Sequence, residues 1–401
     1  MLEHSKWLGA LALVLAASAT SAQVIDESGV SDDEIVLGQT APYSGPLSAY
    51  GTFGRASVAY FAMINEEGGV NGRKIRLITA DDGFSPPRTV EQVRKLVEAD
   101  HVFALFAPVG TATNLSVRKY LNDRKVPQLW LQSGISKFND PRTYPWSLSG
   151  LPNYDTEIRA FAKHILAARP QGKVAILYQN DDFGKEYLSG LRSGLGERAE
   201  ETLAGGQSFE VTDPTVESQV IALHGSGADV LVIVATQKQT VQAMRKARDL
   251  GWRPLTLVAF PAASITRTYL PAGLDASTGA VSSAVVIDPS DPDLQSSPDV
   301  QAYLAWMAKY YPAGDKLDGL NVTAYLEGSL MVEVLKRCGA RVSRQCVMDN
   351  AANLKDVHVP MLRPGITAGT SPDNYNLFKK LQLLTFDGKR LVPTGAPVAA
   401  E

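Results

Sequence analysis

The strongest constraint on this chain is an alternation of two patterns: short runs of β-branched and apolar residues, each followed by a longer stretch whose apolar positions recur at helical spacing. Runs at 35–40, 75–80, 102–106 and 127–131 read as strands, and 52–67, 87–99 and 113–124 read as the helices between them. In the first helix Phe53, Val58, Phe61, Ala62 and Ile64 form one stripe, and Gly68-Gly69 stops it. A strand that returns to its sheet through a helix pairs in parallel, with the helix laid over the sheet. A proline-marked stretch at 140–152 interrupts the rhythm. It then resumes with strands at 174–178, 230–235 and 255–260 and helices at 184–197 and 240–250. The expected fold is therefore α/β, with two similar lobes, each a doubly wound parallel sheet. Two helices within 301–331, parted by a loop at 312–319, follow both arrays. A hairpin of 381–386 with 390–392 across Asp387-Gly388 closes the pattern. Elements placed so late are expected to be shared between the lobes, which makes a stiff, multi-stranded hinge.

Residues 1–22 stand outside both arrays. A short polar start with Lys6 precedes an apolar run at 7–19, and Thr20-Ser21-Ala22 supplies small residues for a signal peptidase, with Ala17-Ser18-Ala19 as an alternative. The run is shorter than the ~20 apolar residues that span a bilayer. The segment reads as a secretory signal peptide removed after Ala22, and export follows. What remains of the 401 residues is too long for one core, so about two domains are expected. A net charge of −3 gives no long-range field for nucleic acid. The five histidines stand singly at 4, 101, 164, 224 and 358, so a zinc site lacks ligands and no cofactor is expected. Cys338 and Cys346 are the only cysteines; in an oxidising compartment they either close a small loop or remain two unpaired thiols.

Catalytic signatures are missing. There is no Gly-x-Ser-x-Gly elbow and no Gly-x-x-x-x-Gly-Lys-Ser/Thr loop, and the glycines at 225 and 227 follow a helix rather than a first strand. Asp81-Asp82 and Asp181-Asp182 end strands, where carboxylates serve as acid and base in some enzymes. The plainer reading is that they cap the next helix. An exported α/β enzyme is thus the weakest of the functions considered, and no catalytic residue is assigned.

One combination of motifs is specific. Gly38-Gln39-Thr40-Ala41-Pro42-Tyr43-Ser44-Gly45-Pro46-Leu47 is followed by Tyr50-Gly51 and by Ile64-Asn65-Glu66-Glu67-Gly68-Gly69-Val70-Asn71-Gly72-Arg73, and the next strand ends in Asp81-Asp82. With Ala351-Ala352-Asn353-Leu354-Lys355 and Phe386-Asp387-Gly388-Lys389 near the far end, the chain resembles the leucine/isoleucine/valine-binding class of periplasmic receptors for ABC importers over residues 32–396. The resemblance implies the type I periplasmic binding protein fold. Lobe 1 would comprise 32–146 plus 277–372, and lobe 2 would comprise 147–276 plus 373–397. It also implies a periplasmic monomer that captures a small-molecule ligand and presents it to the membrane permease of an ABC transporter, with no nucleic-acid partner.

Ligands of open α/β folds bind at the carboxyl edges of parallel strands, where helix N-termini favour anions. The stretch Val109-Gly110-Thr111-Ala112-Thr113-Asn114 fits that description best, since it follows a strand, opens a helix and carries two hydroxyls. In the amino-acid-binding members, the resemblance implies donors for the ligand carboxylate on lobe 1, aromatic lids, and an acid on lobe 2 for the ammonium. The donor positions fall at Gly110 and Thr111, with Thr113 on the same turn, and at Gln132, Ser133 and Gly134. The lids fall at Tyr50 and Phe183, and Tyr154 and Thr236 join the ligand-binding set. The ammonium-binding acid falls at Phe260, a phenyl ring. A buried ammonium without a counter-charge is costly. The expected ligand is therefore a small organic carboxylate with an aromatic or hydrophobic tail, to which Trp130 and Tyr154 would add apolar surface. A branched-chain amino acid or small amide is the alternative, favoured if a carboxylate stands beside Phe260.

Overall fold

The structure is a computed structural model that describes residues 28–355 and 357–399, so the signal-peptide reading of 1–22 lies outside the described residues. Five strands build the first sheet: β1 (Glu34–Ala41), β2 (Lys74–Asp81), β3 (Ala104–Phe106), β4 (Gln128–Leu131) and β5 (Ser147–Ser149). Their order is β2-β1-β3-β4-β5 and each pairing is parallel. The helices α1 (Gly51–Glu66), α2 (Pro86–Glu98) and α3 (Thr111–Asp123) cover it.

The second lobe follows in the same manner. Its elements are α4 (Tyr154–Ala168), β6 (Val174–Gln179), α5 (Asp182–Leu195), β7 (Leu203–Phe209), α6 (Glu217–Gly225), β8 (Val230–Val234), α7 (Gln237–Asp249), β9 (Leu255–Val258) and β10 (Val281–Ala284). The sheet order is β7-β6-β8-β9-β10, all parallel. β8 reads Val-Leu-Val-Ile-Val and is buried throughout, as a strand covered on both faces must be.

The chain then returns to the first lobe as α8 (Pro298–Tyr310), α9 (Gly319–Cys338) and α10 (Arg344–Ala351). α9 lies against α1. There Thr52 donates to Asn321 at 3.0 Å, and the Tyr60 and Tyr325 rings meet edge-on at 5.2 Å. The Cys338–Cys346 bond ties the end of α9 to α10. Finally β11 (Lys380–Phe386) and β12 (Leu391–Pro393) add an antiparallel hairpin to β10. Among the described residues the chain thus passes between lobes after β5, after β10 and before β11.

Two boundaries differ from expectation. Residues 147–149, expected in lobe 2, form β5 of the first sheet, because the proline-marked stretch carries one more parallel strand before leaving it. Residues 281–284, expected in lobe 1, form β10 of the second sheet, where the strand offers the closing hairpin its antiparallel edge. Its sequence, Val-Ser-Ser-Ala, lacks the β-branched run by which the other strands are recognised.

Candidate functional site

The carboxyl ends of both sets of strands line one cavity of about 170 Å³ between the lobes. On the first-lobe wall, α3 starts at Thr111 with Gly110 as its N-cap, and no side chain caps it. Its first N–H groups therefore keep their positive end for something else. Gly110 has φ 108°, and a Cβ there would stand 2.4 Å from Thr113 Oγ1 and 2.6 Å from the Phe84 ring, so only glycine fits. The Thr111 and Ser133 hydroxyl oxygens are 2.8 Å apart. Gln132 donates its amide to both oxygens of Glu327 at 2.6 Å, and burial raises that carboxyl well above the usual range.

The second-lobe wall is aromatic. Tyr154 opens α4, and its ring lies 5.1 Å from Phe183 and 5.8 Å from Phe260. Burial pushes the Tyr154 hydroxyl up to about 12, so it stays a neutral phenol. Tyr50 crosses from the first lobe and donates to the Pro261 carbonyl at 3.1 Å. Other contacts hold the rims together: Arg267 pairs with Asp318 at 2.5 Å, Thr266 donates to Asp315 at 3.0 Å, and Lys137 pairs with Asp182 at 2.7 Å. Ser136 donates its N–H and hydroxyl to Glu186, each at 2.9 Å.

Every carboxylate near this wall already has partners. Asp181 caps α5, accepting from Gly184 N–H at 3.2 Å, and Gln179 also donates to it at 2.5 Å. Asp318 caps α9 and faces Arg267. Glu157, fully buried on α4, accepts from the Ser283 hydroxyl at 2.5 Å, the Tyr187 hydroxyl at 2.5 Å and the Phe260 N–H at 3.1 Å. Burial lifts its carboxyl to about 7 despite these donors.

Of the expected residues, Tyr50, Gly110, Thr111, Gln132, Tyr154, Phe183, Thr236 and Phe260 line the cavity. Thr113, Ser133 and Gly134 do not. Thr113 donates back to the Val109 carbonyl at 2.7 Å inside α3, and Ser133 stands behind Thr111. Gly134 lets the chain pass the Pro152 carbonyl, which a Cβ would meet at 1.9 Å. Trp130 is fully buried in the first-lobe core and adds nothing to the cavity wall. Sequence reasoning missed Gln179, Ser283, Asp318 and Glu157. A signal existed for the last: Tyr154, Ile158, Phe161 and Ile165 form an apolar stripe on α4 that Glu157 interrupts.

The comparisons with known proteins agree with this architecture. An amino acid binding protein of Pseudomonas aeruginosa is 22% identical over 244 residues, so the match spans 59% of this chain and only 63% of that relative. A Leu/Ile/Val-binding protein of Rhizobium johnstonii is 23% identical over 367 residues, 86% of this chain and 91% of that one. Among solved structures, a branched-chain amino acid ABC transporter protein from Thermus thermophilus with bound valine superposes with a TM-score of 0.82 at 17% identity, covering 92% of this chain and 98% of that one. A fatty acid ABC transporter substrate-binding protein from Thermomonospora curvata does so with a TM-score of 0.76 at 21% identity, covering 93% and 94%. Both share the two-lobed type I fold described above. The family model for periplasmic binding proteins matches residues 34–378, which is most of the chain, and the protein belongs to that family.

Proposed function

We propose that this protein is the ligand-receiving component of an ABC importer, exported to the periplasm, and that it closes its lobes around a small organic carboxylate with an aromatic or hydrophobic body. The observation that carries the reading is the contrast between the cavity's two walls. An uncapped helix N-terminus with the Thr111 hydroxyl faces from lobe 1, and Tyr154, Phe183 and Phe260 face from lobe 2. An anion gains from the first wall and a flat apolar body from the second. A ligand touching both stabilises only the closed arrangement, and the permease then meets a loaded, closed receptor.

A branched-chain amino acid or small amide is the second reading, and one observation favours it. The carboxylate of Glu157 lies directly behind Phe260, bonded to its N–H. Against it, that carboxylate is shielded by Ser283 and already accepts three donors. Isothermal calorimetry on the mature chain decides between them, with leucine, valine, benzoate and cinnamate as titrants. Heat from the aromatic acids and none from the amino acids is expected. Tight leucine binding with silent aromatic acids would overturn the first reading and establish the second.

A further inference from the structure

Two polar side chains of the second-lobe wall, Ser283 and Gln179, turn their hydrogens away from the cavity. Ser283 lines the cavity, and with Glu157 ionised its hydroxyl proton goes to that carboxylate at 2.5 Å, which leaves Oγ only lone pairs to offer. Gln179 also lines the cavity and is 2% exposed. Its Nε2 donates to Asp181 Oδ2 at 2.5 Å, and because an ionised carboxylate can only accept, the orientation of the amide is fixed. Oε1 is thereby left buried with no donor. A buried carbonyl oxygen in that state is destabilising until something bearing an O–H or N–H reaches it.

The opposite wall has the reverse polarity, since α3 presents free N–H groups beside the Thr111 hydroxyl. Resting on the carboxylate reading above, we infer that the ligand is a hydroxylated aryl carboxylate. Its anion meets α3, and its remote hydroxyl donates to Gln179 Oε1, with Ser283 Oγ as the adjoining acceptor. The donor is taken as a neutral hydroxyl because Gln179 Oε1 and Ser283 Oγ are themselves uncharged acceptors, and the Asp181 carboxylate beside them already accepts from the Gln179 amide and the Gly184 N–H.

Matched ligands test this on the mature chain by calorimetry: benzoate, 4-hydroxybenzoate and 4-methoxybenzoate, with cinnamate and 4-hydroxycinnamate as the longer pair. The hydroxy acids are expected to bind about tenfold more tightly than their parents, which is one hydrogen bond's worth. The methoxy acid, which cannot donate, should show no gain. In Gln179→Met the ratio of hydroxy acid to parent should fall to about one. Should that variant not fold, Ser283→Ala serves the same comparison and should lower the ratio. Parent acids that bind while hydroxylation brings nothing, or a preference that survives both substitutions, overturn this inference alone. Silence from every acid, parents included, overturns the carboxylate reading and this inference with it.

Discussion

Replacing Glu157 by glutamine isolates the energetic consequence of one buried acid. Burial holds the Glu157 carboxyl at about 7, against the usual 4.5. Between those two values the native protein keeps a proton that the unfolded chain has released. Stability is therefore greatest below the window and is lost as pH rises through it. At about 1.4 kcal/mol per pH unit the whole interval amounts to about 3 kcal/mol. Glutamine has no proton to lose. Its carbonyl can still accept the Phe260 N–H and one of the two hydroxyls, while its amide takes the place of the other oxygen and donates to the remaining hydroxyl, which rotates to accept.

Urea unfolding of wild type and Glu157→Gln at pH 5 and pH 8, at constant ionic strength, reads the effect. The variant should gain on the wild type by about 2–3 kcal/mol between the two pH values, because the other titrating groups cancel in the difference. A difference that stays flat, or moves the other way, refutes the argument that burial rather than hydrogen bonding governs this carboxyl. Glu157→Leu supplies the contrast. It strands a buried N–H and two hydroxyls, so it should destabilise at every pH, by about 1–3 kcal/mol for each unpaired group.

Three further predictions follow from the geometry. Replacing both Cys338 and Cys346 with serine opens a loop closed across a separation of 8 residues and should lower stability by about 2–3 kcal/mol, seen as a fall in melting temperature that reducing agent reproduces in the wild type. Gly134→Ala forces a Cβ to within 1.9 Å of the Pro152 carbonyl, a backbone atom that cannot swing aside, so ligand binding should be lost together with more than about 1 kcal/mol of stability; normal ligand affinity in this variant would show that the passage is looser than described. Glu186, lifted to about 7 by burial beside Ser136, Lys137 and Asp155, should make ligand affinity fall as pH rises from 5 to 7.5, and Glu186→Gln should flatten that profile in a fluorescence titration.

Much of the fold was legible because parallel strands covered on both faces must be continuously apolar, and β8 could hardly be read otherwise. The strand β10 was not, since two of its four residues are serines whose hydroxyls are satisfied inside the lobe: Ser282 donates to the Val258 carbonyl at 2.6 Å and Ser283 to Glu157 at 2.5 Å. The first-lobe wall could be anticipated from Gly110-Thr111 because a strand that runs into a hydroxyl-bearing helix start is a local feature; that no side chain caps this start is seen only in the structure. The second-lobe wall could not. Gln179 and Ser283 are ordinary in sequence, and their significance arises only when Asp181 and Glu157, from other positions in the chain, take up their hydrogens. Tyr154 was expected near the ligand, but the helix it begins was not, so the burial of Glu157 one turn later had no warning beyond an interrupted apolar stripe.

Glu157 and Glu186 show how two acids with the same displacement can govern different equilibria. All of the Glu157 partners, Ser283, Tyr187 and Phe260, come from the second lobe, so its environment survives when the lobes part. Its proton is linked to folding and not to closure. Glu186 accepts from Ser136, a first-lobe residue beside the Lys137–Asp182 pair, so separation of the lobes hydrates it and returns its carboxyl toward the ordinary range. The closed form then holds the proton more tightly than the open form, and linkage requires that acid favour closure. The lysine acts in the opposite sense, because its charge draws the Glu186 carboxyl down, but burial outweighs it. Ligand affinity and global stability should accordingly respond to pH through different residues, and each glutamine substitution should flatten one profile while leaving the other sloped.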